Sequence, residues 1–257
     1  MNSQHGAGIR LTGTHKEQWG ITAGLQTTRI NMTPITQTVT QNQDNWLLSG
    51  FAHIPSSTWP GRWTIQLDAH QIHNDTQVGD SNGVRVIAPQ ISWLSYSQPL
   101  KLDLGYASSH YKGSANAHQI SPGLGFGFNQ NQNWFQARAY IINNLEPTRA
   151  LGQSTTHGTD FKLTQFLRGH SPWMPSSVTL GLERGKKFHA VDMITQTTYN
   201  LPMINEGGEN IAATWKVSAR SDVNIQLSKN RYFAEPSPLP PHRFTLSTFS
   251  AQLATAW

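Results

Sequence analysis

Apolar and polar positions alternate with a period of two along most of the chain. Over 62–71, Trp63, Ile65, Leu67 and Ala69 share one face, and Arg62, Thr64, Gln66, Asp68 and His70 share the other. Leu100, Leu102, Leu104 and Tyr106 oppose Lys101, Asp103 and Gly105 in the same way, and Phe135, Ala137, Ala139 and Ile141 oppose Gln136, Arg138 and Tyr140. Successive side chains of an extended strand point to opposite faces, so this period predicts strands with one apolar and one polar side. Breaks rich in Gly, Pro, Asn and Gln divide the pattern into predicted strands at 7–14, 19–30, 45–54, 62–72, 84–96, 99–111, 117–128, 134–146, 158–167, 177–190, 209–219, 222–233 and 243–257. The stretches 45–54 and 84–96 are less regular, and Pro89 predicts a bulge or bend in the second. No segment keeps a helical period over three turns, and no composition shift marks a linker. Residues 1–257 are therefore expected to form one all-β domain.

The connections carry a second pattern. Short turns at 15–18, 97–98, 129–132 and 220–221 largely alternate with longer connections near 31–44, 73–83, 147–157, 191–208 and 234–242. This parity gathers short turns on one rim and long loops on the other, as in bacterial outer-membrane barrels, whose periplasmic turns are short and outer loops long. A soluble sandwich has no reason to keep it. The last strand agrees: Phe249, Ala251, Leu253, Thr255 and Trp257 form one stripe that ends on an aromatic, suited to lipid contact with a ring at the interface. The expected architecture is an antiparallel transmembrane β-barrel. Thirteen strands are visible, whereas bacterial single-chain barrels have even numbers. About 14 strands are therefore expected, with 12 the alternative and a truncated N-terminal strand one way to reconcile the count.

Composition fits this picture. Charged residues make up 13% of the chain, against about 25% in ordinary soluble domains, and Gln, Asn, Thr and Ser supply the polarity. Nine Trp, ten Phe and six Tyr argue against disorder. There are no cysteines, which excludes disulfides and thiolate metal sites. The net charge of +5 is scattered, with only Lys186 and Lys187 adjacent, so no nucleic-acid footprint is expected. No run approaches 18 apolar residues, which excludes a transmembrane helix, and the first residues lack the apolar core of a signal peptide.

Candidate chemistry lies on the polar face. Arg62, Asp68, Lys101, Asp103, Arg138, Lys162, Glu183 and Lys216 share the expected lumen side, because Arg or Lys facing lipid at the midplane costs about 2–4 kcal/mol. They are read as a salt-bridged network that stiffens the lumen, or as the lining of a polar path. Arg10, Arg29 and Arg184 break the face rule and are expected near interfaces. Trp19, Trp46, Trp59, Trp63, Trp93, Trp134, Trp173 and Trp215 are expected near strand ends or on lipid faces. Gly123, Gly125 and Gly127 share one face and predict a bend beneath large lumen side chains. The histidines, including His70, His73, His110, His118, His157, His170 and His242, lack partners at ligand spacing, and no metal or cofactor is expected. His170 and Ser171 would point opposite ways on a strand, so a barrel lipid hydrolase is not supported.

The chain from about residue 99 to its end, roughly two thirds of it, resembles YaiO-type outer-membrane barrels. The resemblance rests on Leu104-Gly105-Tyr106 with Ser109-His110-Tyr111, on His118 to Leu124 with its Pro-Gly pair, on Leu180-Gly181-Leu182-Glu183-Arg184-Gly185, and on Asn224 to Tyr232 with the last strand. It implies an outer-membrane location and a link to exopolysaccharide export, and it supplies no catalytic residues. The expected role is a non-enzymatic pore or scaffold in envelope transport. Its partners would be outer-membrane lipid and lipopolysaccharide, the barrel-insertion machinery through Phe249–Trp257, and a polysaccharide. A secreted β-sandwich that binds carbohydrate is the alternative.

Overall fold

The computed structural model describes residues 3–32, 39–75, 82–111, 116–167, 173–199, 203–234 and 242–255. Thirteen strands build one antiparallel sheet: β1 (Ser3–His15), β2 (Trp19–Met32), β3 (Val39–Ser56), β4 (Gly61–Asn74), β5 (Val84–Ser95), β6 (Leu100–His110), β7 (Asn116–Phe128), β8 (Asn133–Asn144), β9 (Thr155–Phe166), β10 (Ser177–Lys187), β13 (Ile204–Lys216), β14 (Ser221–Ala234) and β15 (His242–Thr255). Between β10 and β13, a separate hairpin pairs β11 (Val191–Asp192) with β12 (Thr197–Thr198). Apart from a single 3₁₀ turn at Pro147–Arg149, no helix occurs among the described residues. Each strand of the sheet pairs with its neighbours in order, and β1 and β15 are the edges. The sheet therefore has thirteen strands, not fourteen, and is not closed by β1–β15 pairing.

The strands are longer than their apolar stripes. β3 begins at Val39, although Thr40–Asp44 carries no apolar residue, so its polar end reads as loop in the sequence. Rim parity persists: 16–18, 57–60, 96–99, 129–132 and 217–220 are short connections at one rim, with 167–176 the longer exception. At the other rim the chain passes from β2 to β3, β4 to β5, β6 to β7, β8 to β9, β10 to β13 and β14 to β15. Lys16, Glu17, Asn129, Gln130 and Asn131 turn the chain with positive φ, a conformation that Asn tolerates through its short polar side chain. Pro89 causes no bulge. β5 keeps a constant register against β4 through Leu67↔Pro89, and its ladder with β6 lapses only at Ala88 and Pro89, where proline has no N–H to donate. The terminal Trp257 and the pair His170–Ser171 lie outside the described residues.

The two faces differ in kind. On the outer face, Leu67, Leu104, Leu180 and Ile211 are 52%, 51%, 53% and 46% exposed, and similar residues follow on almost every strand. No second layer covers them among the described residues, which removes the two-sheet core that a sandwich requires. On the inner face, side chains near the long-loop rim are buried, while those near the short-turn rim are half-buried. In β4, Asp68, His70, Ile72 and Asn74 are buried, and Arg62, Thr64 and Gln66 are half-buried. In β8, Arg138, Tyr140, Ile142 and Asn144 are buried, and Trp134 and Gln136 are half-buried.

The inner-face glycines admit bulky neighbours. A Cβ at Gly123 would lie 2.5 Å from an Asp103 carboxylate oxygen, and one at Gly125 would lie 2.9 Å from the Trp134 ring. Trp134 thus lies at the start of β8, near a strand end as expected, with its ring on the inner face. Gly123→Val should displace Asp103 and destabilise the sheet by about 1–3 kcal/mol, read as a lower denaturation midpoint. An unchanged midpoint would contradict this packing.

Candidate functional site

The inner face is organised around the connection that follows β10. Residues 188–199 fold back across the sheet instead of standing away from it. Phe188, Ala190, Val191 and Met193 are at most 2% exposed. Ala190, Val191 and Met193, with Tyr199 packed against them, form one apolar cluster with Ile72, Val84, Val86, Ala88, Ala107, Tyr111, Ala117, Tyr140 and Ile142 from β4 to β8 and the end of β6. Each fully buried Val, Ile or Met here contributes roughly 1.5–3 kcal/mol relative to exposure. The long-loop half of the inner face is therefore filled, with this apolar cluster set among buried polar groups such as Asp68, Gln119 and Arg138. It also explains why 84–96 looked irregular, because Val84, Val86 and Ala88 face inward against the hairpin.

Polar clasps fix the hairpin's position. The Gln119 amide accepts from the Val191 backbone N–H at 2.9 Å and donates to the Val191 carbonyl at 2.6 Å. Gln196 Nε2 reaches Ser49 Oγ at 2.9 Å and Asp68 Oδ1 at 3.0 Å. Arg10 donates to the Thr195 carbonyl at 3.2 Å, so it faces inward and is not an interface residue. Met193 sits where a side chain at Gly105 would be. One small hairpin thus touches β1, β3, β4, β6 and β7, and the sheet must curl around it.

The predicted inner charges divide into two register rows. One row runs from Asp103 through Gly123 and Arg138 to Asp160 and Glu183. Its ions are paired within it, two cations serving three acids. Arg138 pairs with Asp103 and also donates to the Ser121 carbonyl at 3.1 Å. Lys187 binds Asp160 and Glu183, each at 2.8 Å, and its ammonium lies 4.8 Å from the centre of the Tyr140 ring. Tyr140 Oη donates to Asp160 at 2.8 Å. Buried ions of this kind persist only when paired and hydrogen-bonded. A cavity of about 20 Å³ lies beside this row, lined by Asp103, Arg138, Asp160, Lys162 and Ile194 among others, which is room for about one water.

The second row lies two residues nearer the short-turn rim. It runs from Arg62 through Leu94, Lys101, Gly125 and Gln136 to Lys162 and Gly181. Asp68 is fully buried beside the hairpin, whereas Lys216 is exposed at the rim opposite Asp222. Of the eight predicted residues, Asp103 with Arg138 forms a direct pair, Glu183 pairs with the unpredicted Lys187, and Asp68 holds the hairpin. Asp160 shares its parity with Lys162 and was legible from it. Lys187 and the hairpin were not, because they depend on where a loop folds. Arg29 and Arg184 are exposed three residues from the long-loop ends of β2 and β10. His70 and His189 are the buried histidines among the described residues.

His189 stacks on Tyr111 with 4.0 Å between ring centres and packs against Phe188 at 3.9 Å. Burial pushes its pKa down to about 3. A displaced hairpin would carry an ordinary imidazole that binds a proton near pH 6.5. The seated state is therefore fully favoured above that pH and loses stability as pH falls toward 3. At pH 5 the loss is on the order of 2 kcal/mol. Cleavage of 188–199 by added protease should rise between pH 7 and 5, and His189→Phe should flatten that rise. Gln119→Leu should raise cleavage at pH 7. Equal protection at both pH values would refute the assignment.

Comparison of the chain with family models, with curated proteins and with solved structures gives no match.

Proposed function

We propose that this chain is the wall of a bacterial outer-membrane β-barrel, without enzymatic activity, that serves as a pore or scaffold in envelope transport. The observation that supports it is the half-exposed Leu, Ile and Phe band on consecutive strands of a single sheet with no covering layer. In water such a surface far exceeds the few hundred Å² of exposed apolar patch usual for soluble proteins. In hydrocarbon it needs no cover, and the inward placement of ions follows from the same medium. The YaiO-type resemblance adds surface polysaccharide as the transported class. Lipid and lipopolysaccharide would meet the band, and the insertion machinery would read Phe249–Trp257.

Antiparallel closure of this wall takes a fourteenth strand between β1 and β15. The filled long-loop half favours a shut state, so the wall acts as a scaffold while the hairpin is seated and as a pore when it is displaced.

Detergent-extracted protein should migrate faster on gels before boiling than after. Leu104→Arg, on the outer face, should weaken the fold by about 2–4 kcal/mol. Planar bilayers should show little conductance at pH 7 for the parent chain and more for Gln119→Leu. Identical mobility with and without boiling, together with solubility in plain buffer, would overturn the reading.

A further inference from the structure

We infer that the short-turn half of the inner face is a binding site for a multivalent anion, a solute carrying several carboxylate or phosphate groups. The inference rests on the barrel reading only for the direction of approach, from the short-turn mouth. The inner-face residues near that rim are half-buried, whereas those near the other rim are shut beneath the hairpin. The short-turn half is thus an open vestibule with a closed floor.

Arg62, Lys101 and Lys162 stand on one register row of this vestibule, on β4, β6 and β9, and no acid lies on that row. The nearest acids are already engaged. Asp103 is held by Arg138, and Asp160 is held by Lys187 and Tyr140. The three cations form no ion pair among the described residues, and Arg62 Nε is buried without a hydrogen-bond partner. Against the one surplus negative charge of the deeper row, the three cations leave this half net positive, inside a concave wall of low dielectric that focuses the charge.

Spacing sets the kind of anion. Neighbouring strands lie about 4.8 Å apart, so Arg62 and Lys101 are separated by roughly 10 Å along the wall and Lys101 and Lys162 by roughly 14 Å. One small anion cannot engage all three, whereas a solute with repeated charges can. The Trp134 indole lies over Gly125, between Lys101 and Lys162, and Gln136 is on the same row. Gly125, with no side chain, lets the indole lie close against the wall. The indole offers a flat face to a ring-bearing solute, and the amide offers a donor and an acceptor.

The test is calorimetric titration of the full chain in detergent with tripolyphosphate, with an oligogalacturonate, with a neutral dextran of similar length and with inorganic phosphate. Tripolyphosphate or oligogalacturonate should bind, and binding should weaken as salt is raised. The tighter of the two assigns the source, phosphate or uronate. Lys101→Gln and Lys162→Gln should each weaken it roughly tenfold, and the pair roughly a hundredfold. Lys101→Arg with Lys162→Arg should retain binding. Trp134→Leu should weaken oligogalacturonate and leave tripolyphosphate unchanged. Heat-modifiable mobility of each variant controls for folding. If mobility is normal and no polyanion binds, the site is refuted while the barrel reading stands. Dextran binding as tightly as the uronate would also refute it, as would inorganic phosphate matching both polyanions, or an unchanged Gln pair.

Discussion

The seating of the 188–199 hairpin on the inner face is the contact on which the rest depends. A single sheet with apolar groups on its outer side has no core of its own, because nothing lies behind those groups. Most of the buried apolar side chains among the described residues come from the hairpin and from the inner ends of β4 to β8, with smaller clusters around Ile204 and Tyr232. The hairpin also supplies backbone partners to Gln119 and a carbonyl to Arg10, so its position is fixed by direction as well as by area. Burial of Phe188 and Met193 together with these clasps turns a flexible ribbon into a curved wall around a shared interior.

The ionic row follows from that interior. Asp160 and Glu183 face one another across β9 and β10, and like charges so placed repel. Lys187 resolves the conflict from the end of β10, just past the bulge between Arg184 and Lys187. Gly185 and Gly207, both with positive φ, permit that bulge, and the chain then enters the hairpin. The bulge, the cation and the hairpin are thus one device. The second row has no such partner, which is why the vestibule keeps net positive charge while the deeper row does not.

Much of the wall was legible from the chain alone, because period two is a local signal. All thirteen strands, the two faces of β4, β6 and β8, and the inward glycines were visible in the alternation. The polar start of β3 was not, since Thr40–Asp44 forms a strand by pairing and not by carrying a stripe. The hairpin was hidden for a different reason. Phe188, Val191 and Met193 are apolar, but nothing local says that a loop turns inward. Arg10 was misplaced with it, because its partner is the Thr195 carbonyl, 185 positions away. Trp134 lies at a strand end as its position implies, but its inward ring depends on the bed that Gly125 provides on the neighbouring strand.

Strand direction constrains how such a wall can be completed. Thirteen antiparallel strands leave β1 and β15 running the same way, each from the long-loop rim to the short-turn rim. Direct pairing of the two would be parallel, with slightly weaker hydrogen bonds per residue. A second copy inserted in the same sense does not help, because it presents β15 to β1 in that same parallel relation. Only a strand that runs from the short-turn rim to the long-loop rim pairs antiparallel with both edges. Hydrocarbon around the outer band, as the proposed setting implies, would penalise every unpaired N–H and C=O at those edges by several kcal/mol. In the proposed membrane setting the seam must therefore be closed, either by parallel pairing of β1 with β15 or by an additional strand that runs antiparallel to both.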